Sequence, residues 1–237
     1  MANAGGPALS EDVDPVSSDL IVSYDGTPND DDALALGKLL ANTGARLSLA
    51  YIRHSREFDP RREELAQHDA DRRLEQGVAW LGDPQIPKHV VFSGSTGEGL
   101  EQLAASEEAS VIVFGSDYRT PPGRAEPGTS AQTLLEGGSI AIAVAAAGLR
   151  SLGAAAIESI AVAGVDGDTA AQQTADALAA KLGASIVKLG GPDADLIVVG
   201  SPPSPSRRIT LSGSSRSMLN SSRGSVLVVP SGDPLLL

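Results

Sequence analysis

Two stretches decide how this chain is read: ASVIVFGS at residues 109–116 and ADLIVVGS at residues 194–201. Each is a run of β-branched and aliphatic residues closed by a glycine and a serine, the pattern of a buried strand that turns sharply into a loop. They stand 85 residues apart, and at the same offset Gly128-Thr129-Ser130 falls on Gly213-Ser214-Ser215, and the apolar run 140–144 falls on 225–229. Self-similarity at fixed spacing marks a repeated structural unit.

Upstream, the correspondence continues at a larger offset. Tyr24-Asp25-Gly26 matches Val165-Asp166-Gly167 at 141 residues, and GARLSLAY from Gly44 matches GASIVKLG from Gly183 at 139. The fall from 139 to 85 means that 54 residues of the first copy, roughly 53–107, have no counterpart in the second.

Periodicity places strands at 20–24, 46–52, 89–92, 111–114 and 140–144, and helices at about 62–80, 98–106 and 129–136. Asn29 is expected to cap a further helix, with Ala33, Leu34, Leu36 and Leu40 on its buried face. Asp30, Asp31 and Asp32 fill its first turn, where negative charge suits the helix dipole. A divalent ion is the other reading of these three, but adjacent side chains splay around a helix axis. The second copy reads as strands at 159–163, 185–189, 196–199 and 226–229, with helices at 169–182 and 214–221.

Strands that alternate with helices imply parallel βαβ units with right-handed crossovers. The expected fold is α/β: two doubly wound, Rossmann-like parallel-sheet domains, at 19–145 and 158–237, the second lacking one helix–strand–helix block. A linker over 146–157 joins them, and a disordered tail covers 1–18. With the doubly wound strand order 3-2-1-4-5, the lost strand is an edge and the site-forming centre is kept.

Composition excludes several functions. Lys+Arg 18 against Asp+Glu 30 gives a net charge of −12, which disfavours nucleic acid and anionic membranes as partners. There is no cysteine, hence no disulfide, thiolate metal site or thiol nucleophile. The longest apolar run, 140–149, is half of the roughly 20 residues a membrane helix needs. The first twenty residues carry neither a cation nor an apolar core of the secretory kind. These features point to a cytoplasmic protein. Three Phe, three Tyr and one Trp leave the core to Ala, Val, Leu and Ile.

Open α/β sheets bind ligands beyond the carboxyl ends of their strands, at the topological switch point. Asp25 and Asp166 follow the first strand of each copy; Gly115 and Gly200 follow the strand that pairs with it on the other side, and a glycine thirteen residues later precedes Thr129 or Ser214. Glycine lets a backbone approach an anion, and the following helix offers N–H donors. This describes an adenosine-phosphate site. Arg207, Arg208 and Arg216 enrich the second loop in cations.

Both copies resemble universal stress protein domains, of the Rossmann-like class also called adenine-nucleotide alpha-hydrolase-like. The resemblance lies in the family's nucleotide loop G-x2-G-x9-G-[S/T], read at Gly115, Tyr118, Gly128 and Thr129 and at Gly200, Pro203, Gly213 and Ser214. It extends to YDGTPNDDDALALGKLLA from Tyr24, GSTGEGLEQLA from Gly94 and SVLVVP from Ser225. The resemblance implies an adenine nucleotide, ATP (with or without Mg), AMP or cyclic AMP, in at least one copy. Asp25 with Thr27, or Asp166, would lie near the adenosine and the Ile52 backbone near the base. Ser116, Thr129 and Ser130, and Ser201, Ser214 and Ser215, would be donors to phosphate. Both copies depart from the pattern at its second glycine, replaced by Tyr118 and Pro203, and proline has no N–H to give.

His54, His68 and His89 lack metal-ligand spacing and are expected at the surface or in loops. The mixed-sign run from Asp59 reads as a solvated helix face, and the serines of 212–225 as caps and turns. No catalytic base or metal cluster stands beside the loops, so an enzyme is not expected, slow ATP hydrolysis aside. The expected function is a stress-response or signalling protein that binds nucleotide and acts on a protein partner; a nucleotide-free scaffold, its old site closed by Tyr118 and Pro203, is the alternative. Strands 140–144 and 226–229 are expected to pair as an intramolecular pseudo-dimer, with homodimer formation left open.

Overall fold

The computed structural model describes residues 19–153, 156–190, 193–221 and 223–237. The expected disordered tail, 1–18, lies outside them. Nine strands form one sheet, in the order β3-β2-β1-β4-β5-β9-β8-β6-β7. The first five are β1 (Leu20–Ser23), β2 (Leu47–Arg53), β3 (Lys88–Phe92), β4 (Val111–Phe114) and β5 (Ala141–Val144), all parallel. The other four are β6 (Ser159–Ala163), β7 (Ser185–Val187), β8 (Leu196–Val199) and β9 (Ser225–Val228), parallel among themselves. The two sets meet at β5 and β9, which run antiparallel with Ala143 opposite Leu227.

The central strands are short and aliphatic because both faces are covered. On one face α1 (Pro28–Ala41), α2 (Pro60–Leu81) and α5 (Ala170–Leu182) close a core holding Leu20, Val22, Leu34, Leu74, Val113, Leu178 and Val198. On the other, α3 (Thr96–Ser106), α4 (Thr129–Leu135) and α6 (Gly213–Ser221) cover Ile21, Leu100, Ile112, Leu134, Ile142 and Leu219.

The helix starts correct two expectations. Thr27, not Asn29, caps α1: it and Asp30 form a reciprocal capping box, with Pro28 in the first turn. The three aspartates do not act alike. Asp30 closes the box, Asp31 accepts from the Tyr24 hydroxyl (3.3 Å), and Asp32, 1% exposed, faces inward. Its carboxylate accepts from Gly148 N (2.8 Å), Arg150 N (2.9 Å) and Arg150 Nη1 (2.8 Å). Within the segment expected as a linker, a 3₁₀ turn at Leu149–Ser151 lies against α1, and Ile157 is in the core.

The end of the chain makes a comparable contact, Leu235 N donating to Thr174 Oγ1 on α5 (2.8 Å), with Leu235 and Leu237 buried. Repeated hydrogen bonds also correct the sequence register. Ala145 N donates to Phe114 O, and Val229 N to Val199 O; Gln132 N donates to Gly128 O, and Arg216 N to Ser212 O. The offset of 85 thus holds through β4 and β8, but one residue is lost in the loop that follows. Beyond it, Ser212 stands where Gly128 does, and Gly213 where Thr129 does.

Candidate functional site

At the switch point between β1 and β4, the chain leaves β1 as Tyr24-Asp25-Gly26-Thr27. Gly26 has φ +81°, which only glycine adopts cheaply. The Asp30 carboxylate gathers this turn by accepting from Asp25 N (3.1 Å), Thr27 N (2.9 Å) and Thr27 Oγ1 (2.7 Å). Thr27 is thus committed to the cap. Asp25 stays exposed, and Arg73 from α2 donates to its backbone carbonyl (2.5 Å).

Although solvent reaches Asp25, the surrounding protein raises its pKa, and the Asp30 charge raises it further against the pull of Arg73 and His54. Asp30 is raised too, chiefly by desolvation, with the Thr27 hydrogen bonds opposing. Tyr24 is pushed up to about 12 by burial and then by Asp31.

The end of β2 forms the second wall. Alternate residues of a parallel strand send both backbone polar groups to the same side. Ala50 O accepts Tyr24 N (2.9 Å), so Ile52, two residues on, presents its N–H and C=O on that side after β1 has ended at Ser23. Arg53 is held away from the mouth by Glu63 (2.8 Å), Gln67 (3.1 Å) and the ring of Phe92. His54 bonds Ser93 O (3.2 Å) and the Thr96 hydroxyl (3.3 Å).

The third wall is the loop after β4. A Cβ on Gly115 would lie 2.1 Å from Asn29 O, so this glycine exists to let the first turn of α1 lie against the strand end. Asn29 Nδ2 donates to Ser116 O (2.9 Å). Ser116 is buried; its hydroxyl donates to Ala145 O (2.6 Å) and accepts from Glu126 N (3.1 Å). Tyr118 is 73% exposed with Arg119 over its ring, so it does not fill the crevice. Gly128, Thr129 and Ser130 open α4, and a Cβ on Gly128 would meet open space. The first-copy residues are therefore brought around one mouth, but Thr27 and Ser116 have internal partners.

The second-copy residues are not assembled that way. Asp166 is exposed, while Asp168, which sequence reasoning passed over, accepts from Ala170 N (2.7 Å), Ser231 Oγ (2.9 Å) and Gly232 N (2.6 Å). Ser231 Oγ in turn accepts from Ser204 N (3.0 Å), and Pro203 packs against Gly167. Ser201 is buried and donates to Val229 O (2.8 Å), repeating Ser116. A Cβ on Gly200 would meet Ala171 at 3.2 Å.

Gly213 lies inside the first turn of α6. The cap is Ser212, whose hydroxyl meets Ser215 N (3.0 Å) and the Ser215 hydroxyl (2.8 Å); Ser214 is the second residue of the helix. Of the cations expected in the loop, Arg208 donates to Gly137 O (2.6 Å), while Arg216 stands on α6 and pairs with Glu136 just past α4 (3.3 Å). A hydrogen-bonding partner at Asp168 two residues past Asp166 was the missed signal.

Among the described residues no group of three or more His, Asp or Glu could hold a metal ion. No helix there is long and apolar enough to cross a membrane.

The sequence model of the Universal stress protein family matches residues 18–146, more than half of the chain. The chain belongs to that family. In fold it is similar to a universal stress protein from Archaeoglobus fulgidus DSM 4304, with TM-score 0.54 and 15% identity over 90% of this chain and 98% of that one. It is similar also to a functionally unknown protein from Pseudomonas aeruginosa PAO1, with TM-score 0.58 and 14% identity over 90% and 92% of the two chains. No curated protein matches it in sequence. The universal stress protein match ends just beyond β5, so it contains every residue of the first mouth and none of the second.

Proposed function

We propose that this protein binds an adenine nucleotide in the first crevice and not in the second, and acts in stress response or signalling as a binding protein rather than an enzyme. One observation carries the reading. The Ile52 backbone N–H and C=O lie on the side of β2 that β1 occupies lower down, past the last paired residue of β1, and the exposed Asp25 follows the end of β1 on the neighbouring strand. A flat heterocycle with adjacent donor and acceptor suits the first, and ribose hydroxyls suit the second. Nothing in this assignment requires Mg.

The same reading takes the chain as a tandem of two family units, the second shortened. Its support is the antiparallel β5–β9 seam, the repeated serine bonds, and the eight residues, 188–195, between β7 and β8, against residues 54–110 between β2 and β4. A cytoplasmic setting and a protein partner complete the proposal.

The test is thermal unfolding of nucleotide-stripped protein with AMP, ATP and cyclic AMP. Ligand at 100 times its Kd stabilises by about 2.7 kcal/mol, a shift of roughly 2–4 °C per kcal/mol in a chain this size. A saturable shift abolished by Asp25→Ala and retained in Asp166→Ala is the expected outcome. No shift with any nucleotide would leave the scaffold reading in its place.

A further inference from the structure

We propose, building on that reading, that the first crevice takes adenosine or its monophosphate and discriminates against the triphosphate. The two ends of the crevice are built differently. At the base and ribose end, the Ile52 backbone lies past the end of β1, Asp25 is exposed, and Arg73 fixes the Asp25 backbone through its carbonyl.

At the end where a phosphate chain would run, the groups it needs are already used. The Ser116 hydroxyl, 5% exposed, is taken by Ala145 O and Glu126 N. Asp117 N donates to Glu126 O (2.8 Å), and Arg119 N to the Asp117 carboxylate (3.0 Å). Gly115 itself is packed against the carbonyl oxygen of Asn29 at the start of α1, so the strand end has no side chain to offer there.

Charge points the same way. From Gly115 to Gly128 the loop carries Asp117 and Glu126 against Arg119 and Arg124, a balance of zero. Arg119 lies over the exposed Tyr118 ring. Asp25 lies within electrostatic reach of Asp30, which opposes its charge, and of Arg73 and His54, which favour it. A triphosphate of charge near −4 would exchange its hydration for neutral surroundings inside a chain of net charge −12. Adenosine gives up no charge solvation, and a monophosphate can leave its charge in solvent at the open side of Gly128.

Isothermal titration of the full chain with adenosine, AMP and ATP, at one ionic strength and with and without Mg, tests this. The expected result is adenosine and AMP within tenfold of each other and ATP at least tenfold weaker than adenosine. In Asp117→Asn, which keeps the acceptor and removes the charge, the adenosine-to-ATP ratio should narrow by threefold or more. ATP binding as tightly as adenosine overturns the ligand class while leaving the site in place. An unchanged ratio in Asp117→Asn overturns the electrostatic account, and no binding of any of the three overturns the site and this inference together.

Discussion

The two crevices differ first in the length of one strand. In the first, β2 runs past β1, reaching Arg53 while β1 pairs only as far as Ser23 with Ala50. In the second, β7 stops at Val187 opposite Ala161, two residues short of the end of β6 at Ala163. An overshooting strand leaves backbone donors and acceptors that a ligand can use; a short one leaves none. The second difference is the filling. Ser231 bridges Asp168 and Ser204 where the first mouth is open to solvent. A repeated sequence has thus produced one crevice in which β2 runs on past β1 beside an exposed Asp25 and one in which β7 stops short and Asp168, Ser231 and Ser204 bond to each other.

The largest expected asymmetry is steric. Gly115→Ala drives a methyl onto the Asn29 backbone, which cannot move without displacing the capped first turn of α1. It should cost about 3 kcal/mol or more, the upper end for overpacking. Gly200→Ala meets a side-chain methyl at 3.2 Å and should cost about 1 kcal/mol or less. Denaturation midpoints of the two variants compare them, and equal losses would mean that both turns are equally tight.

Next comes the anchoring of the segment that follows each half. Asp32→Ala leaves Gly148 N and Arg150 N without their acceptor and the partly buried Arg150 guanidinium with Pro28 O but no counter-charge. With Arg150 30% exposed, the loss should be about 2–3 kcal/mol, under the usual figure for breaking a buried pair. Thr174→Ala removes a single neutral acceptor and should cost about 1 kcal/mol. Urea unfolding that ranks them the other way would show that the charged anchor is dispensable.

Most of the fold was legible because it rests on local signals. Strand runs such as 111–114 and 196–199 are continuous apolar stretches rich in β-branched residues, and their bounds agree with the sequence reading to the residue. The site was less legible because its geometry depends on bonds between residues far apart. Ser116 and Ser201 read as phosphate donors, yet each turns inward to a carbonyl 28 or 29 residues away. Asn29 looked like a cap because it precedes an apolar periodicity, but Pro28 and the Thr27–Asp30 pair set the start earlier. The loss of one residue between 116 and 128 was invisible because Gly213 supplied a false match for Gly128.

A smaller effect separates Tyr118 from Pro203. With its ring in solvent, Tyr118→Gly should leave AMP affinity within about threefold, below one hydrogen bond's worth. A gain of tenfold or more in titration would mean that the ring does obstruct the mouth. Pro203→Gly should create no second binding event, because Ser231 still closes Asp168 against Ser204.

The smallest expected change in stability is at Asp25, and its sign is informative. Desolvation and then Asp30 raise the Asp25 pKa in the folded chain. A carboxyl raised on folding contributes stability below its unfolded pKa, and that contribution is lost as pH rises through the folded value. At neutral pH the Asp25 charge therefore opposes folding, and Asp25→Asn should be slightly more stable than the parent at pH 7, by about a few tenths of a kcal/mol after solvent screening. The gain should shrink as pH is lowered toward about 4. The same substitution should weaken AMP binding by about tenfold, the loss of a charge-assisted bond to ribose. A residue that lowers stability while supporting a ligand is the mark of a functional position. Asp166→Asn should change neither stability nor affinity; if it weakens binding as much as Asp25→Asn does, the two crevices are not functionally distinct.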